Sequence, residues 1–448
     1  KNLKRLRLRE KLMSKLKMSC LWGAASGTAI LCALATIGTA HASGFQVRET
    51  SGTLQGSSFA GMSTLTTDAS TMSYNPGSVG QYTETTYSAG VTVIRPVAKA
   101  TNTVATDGTR TTIAQTGGGY KDMAEDAAVP NAHAVWKLNE QINLGVSITA
   151  PWGLVTDNDS DFAGRFFGTT SKIKTVNIKP VMAYRFDNGL SIGAGPQIQR
   201  FEARLDKAVP SLAGAKTEGN SSLTGDDIGY GWTAGLNWEL TDATRLGLSY
   251  NSEVDHKLEG KIKFDSAAKG LLTPYTDRNA SAKITTPEAI AFGMSHDIDD
   301  QWTIMGDVQW TNWNSVSELV FNYDGLINSN LSTSSSTTEY YNWGSSWFGA
   351  LGARYQHDEN WAFTGGIAYD ETPIKTRNRN VRLPDSDRYW VSFGTTYKVA
   401  DWVDVNLGYT HIFAKSARVD HTSAALGNYA ADYDAKVDII ALQANFKF

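Results

Sequence analysis

Apolar and polar residues alternate one by one in segment after segment of this 448-residue chain. Large apolar side chains fall at alternate positions in Leu190–Gly195, Leu246–Asn251, Trp302–Trp310 and Val403–Thr410, with small or polar ones between them. The last residues do the same. Ile440, Leu442, Ala444, Phe446 and Phe448 lie on one side of an extended chain, with Ala441, Gln443, Asn445 and Lys447 on the other. Val437 and Ile439 break the pattern further back. A period of two is a β-strand whose faces meet different surroundings. No stretch past residue 42 has the pattern of a long amphipathic helix or a membrane-spanning one.

The first segment sets the compartment. Lys1, Lys4, Arg5, Arg7, Arg9, Lys11, Lys15 and Lys17 stand against one acid, Glu10, and the apolar stretch Leu21–Ala40 follows. Ala40-His41-Ala42 is a small-x-small cleavage site, so residues 1–42 are expected to be a secretory signal peptide, with Met18 an alternative start. An anchor helix is the other reading of such a stretch, but glycines and threonines dilute it. Cys20 and Cys32 both lie in this segment, so the processed chain would have no disulfide, thiolate metal site or cysteine nucleophile. Processing removes eight basic residues and one acidic one, shifting the net charge from −4 to −11. That balance argues against nucleic-acid binding.

An exported membrane protein without helices has one option, a closed barrel in which every backbone group pairs with a neighbouring strand. The connections agree. Short polar turns fall near Asn139, Asp187, Thr241, Asp299, Asp358 and Ala400. Longer Ser/Thr/Gly/Asp-rich stretches lie between them, at about 98–129, 155–169, 207–226, 265–279, 322–339, 374–387 and 416–430. Six turns interleaved with seven loops imply an all-β fold, a 14-stranded antiparallel transmembrane β-barrel with both ends in the periplasm. A soluble all-β protein has no reason for so strict an alternation. Residues 43–84 do not fit the pattern: they lack a strand period and are too poor in hydrophobic residues to fold alone. They are expected to form a plug inside the barrel of residues 85–448, a disordered tail being the alternative.

Ser43-Gly44-Phe45-Gln46, Asp68 and Ser73-Tyr74-Asn75-Pro76-Gly77 resemble the N-terminal hatch of FadL-type long-chain fatty-acid transporters. Gly77 stands where that family's motif has alanine. Further likenesses include Gly229–Gly235, Gly366–Asp370 and Pro384–Trp390. The resemblance implies a 14-stranded outer-membrane barrel plugged by its hatch, which takes up hydrophobic molecules without an energy source. Cargo would be caught at an outer-loop groove, pass to an inner site and leave sideways through the wall. Lateral exit is physically sensible, because burying a fatty chain in lipid gains about 0.8 kcal/mol per methylene.

Several residues are candidates for the work. In Pro151-Trp152-Gly153, proline removes a ladder donor and glycine permits a kink, so this is either a break in the wall or an ordinary strand end. The resemblance puts Gly153 at the family's kink. Asn75-Pro76-Gly77 is by itself a turn signal; the resemblance makes it the hatch element that touches the gap, and makes Phe45 an inner stopper. It also sets Lys207 on an arginine that holds a cargo head group, with Arg204 nearby. The family's second cation is missing, since 325–341 contains no Lys or Arg; that leaves room for neutral hydrocarbons or monoaromatic cargo. Val209 and Leu212 in one loop, and Leu271, Leu272 and Tyr275 in another, are apolar where loops are usually polar, as a binding groove would be. Asp157, Asp159 and Asp161 open like a calcium loop but lack its glycine and closing glutamate, so they read as a solvated loop.

Asp385, Asp387 and Arg388 are expected to brace a loop or the lumen, and His411 and His421 to sit at the rim without obvious partners. No G-x-S-x-G or H-E-x-x-H motif supports an enzyme, and no cofactor or metal is expected. A general porin would be blocked by residues 43–84. The expected partners are long-chain fatty acids or other hydrophobic small molecules, with outer-membrane lipid and lipopolysaccharide around a monomer, and detergent or lipid carried along on isolation.

Overall fold

The computed structural model describes residues 44–106, 122–209, 218–270, 275–325, 335–423 and 426–448. The expected signal peptide, 1–42, lies outside them. The chain order begins with β1 (Thr86–Thr106), β2 (Ala127–Lys137), β3 (Ile142–Thr149), β4 (Gly153–Asp157), β5 (Thr170–Arg185), β6 (Leu190–Val209) and β7 (Gly219–Glu239). Next come β8 (Thr244–Asn251), β9 (Val254–Phe264), β10 (Arg278–Thr286), β11 (Ala289–Asp297), β12 (Trp302–Thr311) and β13 (Glu318–Tyr323). β14 (Ser336–Tyr340), β15 (Ser346–Gln356), β16 (Trp361–Asp370), β17 (Arg388–Ala400), β18 (Val403–Ala414), β19 (Ala417–Ser423) and β20 (Gly427–Lys447) follow.

All pair antiparallel in one sheet, and β1 pairs with both β2 and β20, so the sheet closes on itself. Six staves consist of two strands in line: β3–β4, β8–β9, β10–β11, β12–β13, β14–β15 and β18–β19. Twenty strands therefore make fourteen staves, as the turns imply. All six expected short turns are found between staves.

Side-chain parity matches a membrane wall. Ile192, Leu248, Phe292, Leu351, Phe393 and Leu442 are exposed on the outside. Rings gather at the short-turn end, where Phe448 lies against Tyr87 and Trp402. Six of the seven expected loops include strand at their ends, three of them over long stretches. β1 runs to Thr106, β6 and β7 occupy much of 207–226, and 416–430 holds the hairpin of β19 and β20. Beyond the lipid the outer strand face is no longer apolar, and the inner face packs instead, as Ala98, Ala100, Val419, Tyr429 and Tyr433 do, so the pattern of the wall does not continue into these extensions.

The bore is filled. Residues 44–84 carry a short helix, α1 (Gly52–Gln55), and 3-10 turns at Ala69–Ser73 and Pro76–Gln81. Wall side chains hold this backbone from many sides. Gln443 accepts from Gly52 N at 2.8 Å, Asp307 accepts from Gly61 N and Ser63 N, and Asn237 donates to the Thr64 carbonyl at 3.0 Å. Leu54, Phe59 and Met62 pack on Phe348, Trp390, Val437 and Ile439 of the inner wall.

Candidate functional site

The wall is interrupted at Pro151-Trp152-Gly153. β3 ends at Thr149, β4 begins at Gly153, and β5 runs unbroken past both. On the other flank, the ladder between β2 and β3 stops at the pair Ala132 and Ile148. It resumes only at an isolated bridge between Ala124 and Thr156. Pro130 lies within this unpaired edge and has no N–H to offer. Trp152 bonds through its backbone N–H and carbonyl to the Thr175 hydroxyl, at 3.0 and 2.7 Å.

The N-terminal segment completes the broken ladder from inside. Val47 N donates to the Pro151 carbonyl and Gly153 N to the Phe45 carbonyl, both at 2.8 Å, making Gln46 and Trp152 antiparallel partners. The expectation for Asn75-Pro76-Gly77 is corrected here. Asn75 caps the turn that follows by accepting from Gly77 N, and it donates to the carbonyls of Ser63 and Leu236. This motif therefore packs on β6 and β7, and the break is touched by Phe45–Val47 instead. A proline-started turn needs a firm seat, and the close-approaching glycines Gly193 and Gly235 provide it.

Phe45 points into an apolar pocket. Its ring lies 5.0 Å from Trp313, 5.8 Å from Trp152 and from Trp343, and 6.5 Å from Phe201. Leu154, Ile173, Leu258, Ile284 and Leu383 complete the lining. Gly44 N is held by Asp385 at 3.0 Å, and Asp385 also pairs with Arg388, the bracing expected of those residues. Asp387 likewise holds Lys415 at 2.9 Å.

Lys207 and Arg204 part company. Inward positions on β6 are odd-numbered, as at Gln197, Gln199 and Phe201. Arg204 falls on the outer face, its side chain 55% exposed and paired with Asp206 at 2.7 Å. It is not a lumen cation. Lys207 has the inward parity and lies within electrostatic reach of Glu339 and Arg382. Arg382 is the residue that sequence reasoning missed. It is 5% exposed, its Nε is 3.5 Å from Glu339, and it donates to the carbonyls of Thr170 and Asp206. Tyr341 donates to the same glutamate at 3.1 Å. The one available signal was a cation set between Val381 and Leu383, both of which are buried.

Val209 and Tyr275 are brought together with Ile262, Phe264 and Ala268 in one apolar cluster. Leu212, Leu271 and Leu272 lie outside the described residues. His411 does have a partner, Asp438 at 2.7 Å, and the His421 ring stacks on Phe167 at 5.2 Å. No acidic or histidine cluster fit for a metal occurs among the described residues.

A plugged fourteen-stave barrel with an inner aromatic pocket defines a class of outer-membrane transport proteins. Residues 33–448 match the family described as outer membrane protein transport protein (OMPP1/FadL/TodX), and the chain belongs to it. It is 29% identical over 461 residues to the long-chain fatty acid transport protein of Escherichia coli K12, covering 94% of this chain and 98% of the relative. Outer membrane protein P1 of Haemophilus influenzae is 24% identical, covering 93% and 97%. Among solved structures, a Pseudomonas aeruginosa FadL homologue superposes with a TM-score of 0.80 at 22% identity, covering 90% of this chain and 99% of that one. The Pseudomonas putida toluene transporter TodX gives 0.65 at 16%, covering 89% and 98%. These two likenesses speak for the fold.

Proposed function

We propose that this chain is a passive, diffusion-driven importer of long-chain fatty acids or related hydrophobic compounds across the outer membrane. Cargo is captured at the groove built on Val209 and Tyr275 and moves to the pocket that Phe45 occupies. It leaves sideways where β2 and β3 part. The observation that carries this reading is a double use of one segment: Phe45 fills the apolar pocket while Phe45–Val47 mends the wall beside it. Withdrawing that segment frees the pocket and opens the wall in one movement. Resemblance to the E. coli fatty acid transporter supports the cargo class.

Arg382 bears on the head group. With Lys207 it outnumbers Glu339, leaving one surplus positive charge above the pocket for a carboxylate, whose charged hydrogen bonds are the stronger kind. Monoaromatic cargo is the second reading, favoured by the ring-lined walls around Phe45.

Gln46 and Trp152 face each other as a non-hydrogen-bonded pair, where Cα atoms are about 4.5 Å apart and a disulfide fits. The double variant Gln46→Cys/Trp152→Cys, oxidised in cells lacking their own importer, should take up labelled oleate at least about tenfold more slowly than after reduction. Equal rates before and after reduction would reject the moving segment.

A further inference from the structure

Beside the aromatic pocket, on the inner side of the wall break, lies a second space of different chemistry. It leaves about 80 Å³ free, and one water needs ~10–15 Å³ of such room, so a small polar group and a few waters fit. Asn177, Gln197, Asn251 and Gln309 line it together with two cations, Arg48 and Lys179, and Pro151 and Trp152 stand at its edge. The cations are not alike. Arg48 lies 3.8 Å from Asp370 and donates to Gln309 at 2.7 Å. Lys179 is 6% exposed and donates only to neutral oxygens, the Ser73 carbonyl at 3.1 Å and Asn251 Oδ1 at 2.7 Å. Among the described residues no carboxylate pairs with it.

An ammonium carries three donors, so one is left over. A buried charge without a counter-ion is costly, and the chamber holds one further unused donor, the hydroxyl of Ser249, which is buried without a partner. We infer that Lys179 is a second binding station, which receives the carboxylate of an anionic amphiphile between the aromatic pocket and the opening in the wall. This rests on the import reading above and narrows its cargo to acids. A neutral aromatic can touch the chamber's apolar walls, Met62, Trp152 and Ala291 among them, but has nothing to offer the ammonium. An acid keeps its head satisfied there while its chain enters lipid. The head takes the spare ammonium proton, and as a charged acceptor it also draws the ammonium away from the neutral Ser73 carbonyl. Arrival of cargo thus loosens a tie between hatch and wall next to the break.

The test compares uptake of oleate and of toluene by the intact protein, Lys179→Met and Lys179→Arg. Oleate uptake should fall about tenfold in Lys179→Met, the loss expected for one charged hydrogen bond, with toluene uptake within about twofold and Lys179→Arg close to the unsubstituted protein. With purified protein, the signal of bound oleate labelled at its carboxyl carbon should shift in Lys179→Met. No loss of oleate uptake, or equal loss of both cargoes, would overturn the station. So would a steady ion leak accompanying changes in both, since that marks a purely structural tie. Failure of the unsubstituted protein to take up either compound defeats the import reading itself, and is seen before any variant is compared.

Discussion

Glu49 is a carboxyl group 2% exposed in a bore packed with protein. Burial pushes its pKa up to about 7, against the opposing pull of the Arg48 and Arg388 guanidiniums, while Asp370 adds to the rise. When the hatch is undocked and solvated the group returns to its ordinary acidity, so docking is linked to protons. The raised value belongs to the docked state. Its stabilisation is therefore complete below pH 4.5, is lost progressively as pH rises to about 7, and is level above that. Hydrogen exchange of the 44–60 amides, corrected for intrinsic rates, should speed up across this window in the unsubstituted protein. In Glu49→Gln the slope should lessen, because other buried groups such as Asp307 still hold the hatch; a slope of unchanged size would assign the effect to those groups instead. Single residues also mark where sequence reading reached its limit. Strand parity alone separates Lys207 from Arg204, three positions apart, and that parity is written in the sequence, where Phe201, Ala203 and Leu205 alternate with Glu202, Arg204 and Asp206. Arg382 comes from a loop whose path over the pocket no local pattern encodes.

At the scale of elements, the seat of the 3-10 turn Pro76–Gln81 is the clearest design. A Cβ on Gly193 would overlap the Pro76 carbonyl, and one on Gly235 the Asn75 side chain. Backbone cannot yield as a side-chain tip can, so Gly193→Val should loosen this turn by about 1–3 kcal/mol. Protease cleavage after Tyr82 should appear in the variant and not in the unsubstituted protein, while heat-resistant barrel migration is unchanged. Loss of the barrel itself would mean that the glycine serves the wall rather than the seat. The staves were legible because one face meets lipid and the other does not. The irregular positions are informative for the same reason. Val437 and Ile439, which spoil the last alternation, face inward on α1 and Phe59 of the hatch, where an apolar contact replaces the polar lumen that the simple pattern assumes. Residue types at Pro151 left a break and an ordinary strand end both open, and the family resemblance favoured the break. Its filling by Phe45–Val47 was not legible, because a pairing across a hundred residues leaves no local trace.

For the whole molecule the question is what survives without the plug. Ladder hydrogen bonds between β1 and β20 close the wall with no help from residues 44–84, and a closed barrel has no edge to satisfy. The outer face meets lipid whether or not the bore is full, so insertion should not need the hatch. The inner face is less indifferent: Phe348, Trp390, Ile412 and Ile439 would pass from packed protein to water, forfeiting about 25 cal/mol for each Å² exposed. Deleting residues 44–82 should therefore give an inserted barrel that melts at a lower temperature. In planar bilayers it should conduct ions steadily, at least about tenfold above the intact protein, because water can line the polar inner rows once the packing is gone. The intact protein should conduct almost nothing. A general porin predicts the reverse ordering of cause, with steady conductance already present in the intact chain and little gained by deletion. Bound cargo supplies the last discrimination: oleate should leave the conductance of the deleted form unchanged, since without Phe45–Val47 there is no gate left to move.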